Sequence, residues 1–431
     1  NAGVDHLIEF TAGDLGKMSA PAKRPGVLLA NLPYGERLGS MAEIVSLYRQ
    51  LGHQLKQHFA QWRAALLISD PEMLKLFKLL KTKQYKFKNG PLDTVLALYD
   101  ITEQQTQGAS DSKTPLHFEQ STAFANRFKK NRQSLKKWLK SDEISAYRVY
   151  DADIPEYNVA VDVYGDSAVI YEYAPPKNID PSVAQKRLQD VLMLTCETLA
   201  IPPANVALKE RRKQKGDSQY QAQAATGKTQ IITEYGAQYE VNLFDYLDTG
   251  IFLDHRLARK RVREMSQRQR VLNLFAYTGT ASVQAALGGA KSVTTVDMSK
   301  TYLQWAQRNF ALNKLKSPRY RFEQGNCIEW LKRTRGEYDV IFLDPPTFSN
   351  SKRMRDSFDV QRDHVNLILD VVKLLSKQGT LLFSNNKRGF EMAIDTLELQ
   401  GLVCENITDQ TLSPDFARNK KIHNAWVIRR G

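Results

Sequence analysis

Cysteine is scarce in this chain. Its 431 residues include three, Cys196, Cys327 and Cys404, too scattered for a disulfide framework or a zinc site. The expectation is a protein of the reducing cytoplasm, without a metal. No apolar run approaches the ~20 residues that span a bilayer, and no signal peptide is visible at a start that is not Met. A membrane partner is therefore not expected. Acidic charge is also short: 47 Asp+Glu face 61 Lys+Arg, a net charge of +14. An excess of that size favours an anionic partner, nucleic acid being the commonest, although on charge alone a soluble basic enzyme is the alternative. What is present is ordinary for a folded soluble protein, with 42% hydrophobic and 25% charged residues. The length suits two to four domains of ~100–200 residues.

Two apolar runs end in the same kind of tetrapeptide. Val27-Leu28-Leu29-Ala30 leads into Asn31-Leu32-Pro33-Tyr34, and Val340-Ile341-Phe342-Leu343 leads into Asp344-Pro345-Pro346-Thr347-Phe348. A short apolar run closed by an acid or amide and a proline suits a buried parallel strand that stops at the rim of a sheet. Proline fixes the backbone there, and polar groups face the crevice where α/β sheets bind ligands. Enzymes that methylate nitrogen hold the target at this place. Only the second copy follows a complete cofactor-binding half.

Residues 1–101 read as half of an α/β domain. Strands are expected at Leu7-Ile8-Glu9-Phe10, at 27–30, 64–68 and 95–99, with a helix over 41–59. A domain that opens on such a strand lacks its first strands, so the chain reads as a piece cut inside a domain. Residues 102–146 form a polar linker and then a basic helix over 119–140, which is either a solvated face or an RNA contact. Residues 147–243 read as a small α+β domain with a helix near 182–199 and a basic loop over 209–215 that includes Arg211 and Arg212. From residue 244 to 431, strands are expected at 271–275, 292–297, 320–324, 338–343, 379–384, 402–407 and 424–429. Helices fall near 280–288, 301–313, 327–334, 358–376 and 389–400. Repeated βα units imply an α/β fold, a Rossmann-like, doubly wound parallel sheet of about seven strands.

Asn273-Leu274-Phe275-Ala276-Tyr277-Thr278-Gly279 is a strand entering a tight turn, where Gly279 admits a ligand that a Cβ would block. The second strand ends at Asp297, followed by Met298. An acid there suits a ribose diol, whose two hydroxyls both donate to it. Dinucleotide enzymes share that logic, but this turn lacks Gly-X-Gly-X-X-Gly and so has no nest for a pyrophosphate. S-adenosylmethionine carries no phosphate and needs none. The third strand ends at Gly325-Asn326-Cys327, where Asn326 is expected to accept from the adenine amino group, the alternative being an N-cap on the helix that starts at Cys327.

Asp344-Pro345-Pro346-Thr347 stands beside that crevice. Methyl transfer from a sulfonium needs an in-line nucleophile and little water, so positioning supplies much of the catalysis. An aromatic ring nitrogen already presents its lone pair in plane, and Asp344 can stabilise the charge that develops on the ring. Neither the fourth strand end nor Phe383-Ser384-Asn385-Asn386-Lys387 offers the Cys that methylation of cytosine carbon uses. Cys327 and Cys404 read as ordinary buried residues. Upstream, Arg256 is read either as a partner of the methionine carboxylate or as half of a structural Asp–Arg pair, while His255 is a poor general base, since a ring nitrogen has no proton to remove. Lys352, Arg353, Arg355 and Arg362 follow the fourth strand and are expected on phosphates, together with Lys387 and Arg388.

These residues carry a resemblance. The run from Asn273 to Gly279, Asp344-Pro345-Pro346-Thr347-Phe348-Ser349-Asn350-Ser351-Lys352-Arg353-Met354 and Phe383-Ser384-Asn385-Asn386-Lys387-Arg388-Gly389-Phe390 closely resemble the C-terminal enzyme of the bifunctional ribosomal RNA large subunit methyltransferase K/L family. So do Tyr150-Asp151-Ala152-Asp153-Ile154-Pro155 and Tyr246-Leu247-Asp248-Thr249-Gly250, while Asn31-Leu32-Pro33-Tyr34-Gly35-Glu36-Arg37-Leu38 is similar to the target-base motif of the N-terminal enzyme. The resemblance implies methylation of the 7-position nitrogen of a guanine in large-subunit (23S) RNA by residues 244–431. It implies that residues 1–101 are the tail of an enzyme for the 2-amino group of another guanine. There Asn31 and the Leu32 carbonyl would hold the amine, and Tyr34 would stack on the base. Family members carry an RNA-binding region and a first cofactor site ahead of this point, so the 2-amino activity is expected to be lost. A non-catalytic RNA-binding module with the same fold is the alternative, and a nicotinamide-dependent enzyme is disfavoured by the missing pyrophosphate turn.

Overall fold

Every second residue of Val27–Asn31 turns to solvent, with Val27 68% and Leu29 76% exposed. Among the described residues this strand, β1, pairs with Arg63–Ile68 alone; it is parallel to it, but not buried as its composition suggests. The computed structural model describes residues 5–21, 24–33, 41–89, 92–106, 118–174, 179–211, 226–349 and 357–431. They belong to two compact units. The first comprises Asn1–Lys129, Ala152–Asn158 and Ile170–Glu210, and the second Lys130–Asp151, Val159–Val169 and Arg211–Gly431. Among the described residues no helix is long and apolar enough to cross a membrane.

In the first unit β1 is followed by α1 (Met41–His58), β2 (Arg63–Ile68), β3 (Lys83–Asn89), β4 (Leu92–Asp100) and α2 (Glu103–Thr106). The sheet runs β1-β2-β4-β3, with β1 parallel to β2 and the other pairs antiparallel. Alternating Lys and aromatic residues of β3 suit an exposed edge strand, which is why periodicity of apolar residues alone did not suggest it. Leu7-Ile8-Glu9-Phe10 is not a strand. A turn of 3₁₀ helix covers Asp5–Leu7, and Leu7 and Phe10 are exposed, because no described strand lies alongside to supply ladder hydrogen bonds. α1 buries Val45, Tyr48, Leu51 and Leu55 on one face. It also buries Arg49, whose charge meets Asp190 at 2.7 Å, and Asp190 accepts from Ser121 Oγ as well. Asp190 lies on α4.

The chain continues with α3 (Ser121–Ser141), β5 (Ala146–Asp151), β6 (Val159–Tyr164), β7 (Ser167–Tyr173), α4 (Pro181–Leu199) and β8 (Val206–Arg211). α4 starts as the sequence dictates, with Asp180 accepting from the Ser182 amide and Pro at the first helical position. Lys209 is buried within β8, so the expected basic loop begins later than its composition suggests. β9 (Gln230–Glu234) and β10 (Ala237–Val241) form a hairpin closed by Tyr235 and Gly236, both at positive φ.

The remaining elements are α5 (Arg256–Met265), β11 (Arg270–Leu274), α6 (Thr280–Leu287), β12 (Ser292–Asp297), α7 (Lys300–Leu312), β13 (Tyr320–Gln324), α8 (Cys327–Arg333) and β14 (Tyr338–Leu343). Then come β15 (Phe348–Ser349), β16 (Phe358–Asp359), α9 (Val360–Val372), β17 (Leu375–Asn385), α10 (Ile394–Glu398), β18 (Leu402–Asn406), α11 (Thr408–Thr411) and β19 (Asn424–Arg430). Seven strands form one sheet in the order β13-β12-β11-β14-β17-β19-β18. It is not wholly parallel: β19 runs antiparallel to both β17 and β18, and the link from β18 carries only the four-residue α11, too short to serve as a crossover helix. Leu272, Leu274, Ile341, Leu343, Leu381 and Phe383 pack against Leu331, Leu367, Ile368 and Val371 from α8 and α9. Each such side chain, fully buried, contributes ~1.5–3 kcal/mol. The strand order reverses between β11 and β14, which puts the ligand crevice at their carboxyl ends.

Candidate active site

The turn after β11 is held in a costly shape. Phe275 and Tyr277 both have left-handed backbones (φ 54° and 52°), as does Gly279 (φ 69°), and a Cβ at Gly279 would come within 2.7 Å of the Ala306 Cβ. Hydrogen bonds fix each step. The Phe275 amide donates to Cys327 Sγ (3.2 Å), the Ala276 amide to the Val296 carbonyl (3.1 Å) and the Tyr277 amide to Asp297 Oδ2 (2.8 Å). Asn273 and Thr278, expected at the cofactor, are buried beneath the turn. Asn273 Nδ2 donates to Ser282 Oγ, and the Thr278 hydroxyl to the Gly250 carbonyl. Both therefore shape the turn. Because its amides are already bonded internally, the turn makes no nest for a phosphate. A phosphate-free nucleoside fits it, as the sequence suggests.

Asp297, at the tip of β12, also accepts from the Ser299 amide through Oδ1 at 2.8 Å. Burial nonetheless pushes its carboxyl up to about 6. Met298 follows it, half-buried, with its carbonyl accepting from Gln324 Nε2. Asn326 caps α8: its Oδ1 accepts from the Ile328 amide at 3.0 Å. The alternative reading of that residue is thus realised in the structure, and one oxygen lone pair remains for an adenine. Cys327 is buried and burial pushes its thiol up, so it is a packing residue and not a nucleophile.

Asp344 emerges from β14, next to β11, with its side chain 19% exposed. Pro345 is buried, Pro346 half-buried, and Thr347 and Phe348 are exposed, Phe348 by 55%. Behind Asp344 lies a group that the sequence did not bring together. His255 Nε2 stands 2.7 Å from Ser384 Oγ and 3.4 Å from Asp344 Oδ1, while its Nδ1 faces Asp254 Oδ2 at 3.1 Å. His423 Nδ1 approaches the same Asp254 oxygen at 3.5 Å, and Asn386 Nδ2 donates to it at 2.8 Å. Burial opposes a charge on His255, but Asp344 and Asp254 on either side outweigh it and raise its pKa to about 10.

Arg256 does not face a cofactor. It is fully buried, with Nε on Glu234 (3.0 Å), one terminal nitrogen on Asp415 (2.8 Å) and the other on the Ala146 carbonyl. Its alternative, structural reading holds, although the partner acids come from 234 and 415 and not from its neighbour. Arg259 shares Glu234 through two further bonds. Among the expected RNA contacts, Arg362 is paired with Asp363 at 2.7 Å and also donates to the Ser357 carbonyl, which its position at a helix start explains. Lys387 Nζ lies 3.7 Å from Asp359, and Arg388 is exposed. Arg211 ends β8. Lys352, Arg353, Arg355 and Arg212 lie outside the described residues. In the other unit Asn31 ends β1, the Leu32 amide donates to the Leu67 carbonyl, and the Pro33 carbonyl accepts from Tyr48 Oη at 2.6 Å. Tyr34 lies outside the described residues.

Replacing Asp297 with Ala is expected to weaken S-adenosylmethionine binding roughly 10–100-fold, since a hydrogen bond to a charged group contributes about 1.5–3 kcal/mol. Affinity in the unaltered protein is expected to fall as the pH drops through about 6, where the carboxyl gains a proton and loses an acceptor. Calorimetric titration between pH 5 and 8 reads both, and a flat profile would sink the ribose assignment.

Comparison with known proteins agrees with this geometry. Residues 181–398 match the family model described as S-adenosylmethionine-dependent methyltransferase, and residues 1–97 match one described as RMKL-like, methyltransferase domain. The chain is 60% identical over 430 residues to the ribosomal RNA large subunit methyltransferase K/L of Pseudoalteromonas translucida, covering 100% of this chain and 61% of that protein. It is 52% identical over 433 residues to the protein of the same name from Shewanella loihica, with the same coverage. The chain thus spans 61% of the length of these relatives. A solved structure described as a SAM-dependent methyltransferase from Streptococcus mutans is 22% identical, with a TM-score of 0.56 over 93% of this chain and 99% of that one, a likeness of fold.

Proposed function

Since the chain belongs to the S-adenosylmethionine-dependent methyltransferases, we propose that residues 244–431 methylate the 7-position nitrogen of a guanine in large-subunit ribosomal RNA. The observation that carries this reading is Asp344 at the mouth of the crevice, on the strand adjoining the cofactor turn, with no cysteine beside it. When bound, the cofactor supplies a methyl group on a sulfonium, whose positive charge ends on the guanine ring with no proton lost. Asp297 and Asn326 would hold the nucleoside part. Asp344 offers a carboxylate for the charge on the ring, in a half-buried site where such stabilisation is strong. Exposed Phe348 offers a face on which a base can stack, and Arg388 and Lys387 lie beyond the end of β17 for phosphates. The net charge of +14 and the names of the relatives support RNA as the substrate.

We read residues 1–101 as part of a second methyltransferase of the guanine 2-amino type, 102–146 as linker and basic helix, and 147–243 as a small α+β domain. Ahead of Asn31 this sequence has neither a glycine turn nor a ribose acid, so this part is expected to add no 2-methylguanosine by itself. The test is to incubate the chain with radiolabelled S-adenosylmethionine and unmodified large-subunit RNA, then digest and identify the labelled nucleoside. 7-Methylguanosine alone supports the reading. 2-Methylguanosine would overturn the assignment of the first part, and no label would favour a docking module of the same fold.

A further inference from the structure

The surroundings of His255, a hydroxyl and two carboxylates, favour one protonation state. The Ser384 hydroxyl hydrogen is committed to the Asn424 carbonyl at 3.1 Å, so Ser384 Oγ accepts from His255, and Nε2 carries a hydrogen. On the other side of the ring Nδ1 faces Asp254 Oδ2, a carboxylate oxygen, at 3.1 Å. A bare lone pair there would meet negative charge with no hydrogen between, so Nδ1 is protonated too. The ring is an imidazolium, 2% exposed, set between Asp254 and Asp344. The remaining titratable group against Asp254 is His423, whose Nε2 meets the Thr411 hydroxyl at 2.9 Å and whose ring centroid is 5.0 Å from that of His255. Asn386 supplies a neutral donor to the same carboxylate.

We infer that His255 is a positioning residue for methyl transfer, its Nε2–H shared between Ser384 and Asp344 so that Asp344 is held by Oδ1 and presents Oδ2 to the target ring. This rests on the reading of Asp344 as the reaction centre. His255 touches neither the substrate nor the turn after β11, and it moves no proton in the reaction. It fixes the direction of a carboxylate from behind, and Asp254 keeps the ring charged and oriented. The three groups come from the start of α5 and the ends of β14 and β17, so the charge ties together the elements that converge below the crevice.

The test uses the full chain with ¹⁵N-labelled histidine. A long-range ¹H–¹⁵N spectrum at pH 7.5 should show both nitrogens of His255 protonated. In single-turnover methylation of unmodified large-subunit RNA, His255→Gln should lower the rate ~10–100-fold, the size expected when a reacting geometry is loosened. S-adenosylmethionine affinity should stay within about twofold, because the ring lies outside the cofactor turn. Ser384→Ala should show a smaller loss of rate with the same unchanged affinity, and it decides the matter if His255→Gln fails to fold. A neutral His255 at pH 7.5, an unchanged rate in a folded His255→Gln protein, or cofactor affinity that falls in step with the rate would each overturn the inference. If the unaltered chain methylates no guanine at its 7-position, the proposed function fails first and takes this inference with it. A fully active His255→Gln protein sinks the inference alone.

Discussion

Asp344→Asn is expected to slow methyl transfer to large-subunit RNA by ~10²–10³-fold, the range seen when one preorganised electrostatic partner of a developing charge is removed. The substitution keeps size and shape, and an amide oxygen still faces the crevice, so the loss reports charge and not packing. Asp344 sits at 19% side-chain exposure beside His255, whose charged form Asp344 and Asp254 favour, and that neighbour makes the charge matter in two directions. With the carboxylate gone, the positive charge gathering on the proposed guanine target loses its partner, and His255 adds a repulsive one. S-adenosylmethionine binding should change by no more than about threefold, since the braced turn and Asp297 come from β11 and β12. Single-turnover rates and calorimetry on the same preparation separate these outcomes. A rate within tenfold of the unaltered protein would remove Asp344 from the reaction centre.

The second large effect lies far from the chemistry. Glu234→Ala is expected to destabilise the second unit by ~3–5 kcal/mol, the cost of leaving buried charge without its partner. Glu234 is 1% exposed and receives hydrogen bonds from Arg256 at 3.0 Å and from Arg259 at 2.9 and 2.7 Å. Arg256 would keep Asp415, but among the described residues Arg259 would keep only the Phe252 carbonyl. Burial works against the Glu234 charge, yet Arg259 and Arg256 outweigh it and hold the carboxyl below its usual range. A depressed pKa stabilises the fold above the ordinary glutamate value of about 4.3, and that contribution is lost as the pH falls below it. Urea unfolding at pH 7 should therefore show a much lower midpoint for Glu234→Ala. The difference between the two proteins should narrow on acidification below about pH 4. Equal midpoints at pH 7 would mean that the guanidinium groups find other partners.

Much of the sheet was legible because its signals are local. Short stretches rich in Val, Leu, Ile and Thr that end in polar punctuation mark β11, β12 and β14, and the helix cap at Asn326 and the Pro at the start of α4 announce their elements. Strand direction was less legible: β19 carries the same apolar pattern as its parallel neighbours, and nothing in Ala425-Trp426-Val427-Ile428 says that it runs the other way. Exposure failed at Val27 and Leu29 for a related reason, since a strand's composition does not record how many neighbours it has. Of the site, Gly279, Asp297 and Asp344 stand out by spacing. The roles of His255 and Arg256 do not, because their partners lie at Ser384, Asp415 and His423, more than 100 residues away in the chain. A charged residue beside an acid in sequence suggests that pair first, and here only the tertiary contacts show that Arg256 goes elsewhere.

The place of β19 in the sheet has a consequence for how the protein is made. It follows β18 in the chain, yet it lies between β17 and β18. As the chain leaves the ribosome, those two strands emerge with a vacant lane between them. Until Asn424 arrives, the Ser384 hydroxyl has no carbonyl to donate to, and until Asp415 arrives Arg256 lacks one of its carboxylates. The unit is thus expected to remain an unfinished, collapsed intermediate until β19 emerges, and to lock only then. Nascent chains stalled before residue 415 should be readily cut by protease and silent toward S-adenosylmethionine, whereas chains stalled far enough past β19 to expose it fully should resist cleavage. Cofactor binding would then begin only once β19 has left the exit tunnel and filled that lane.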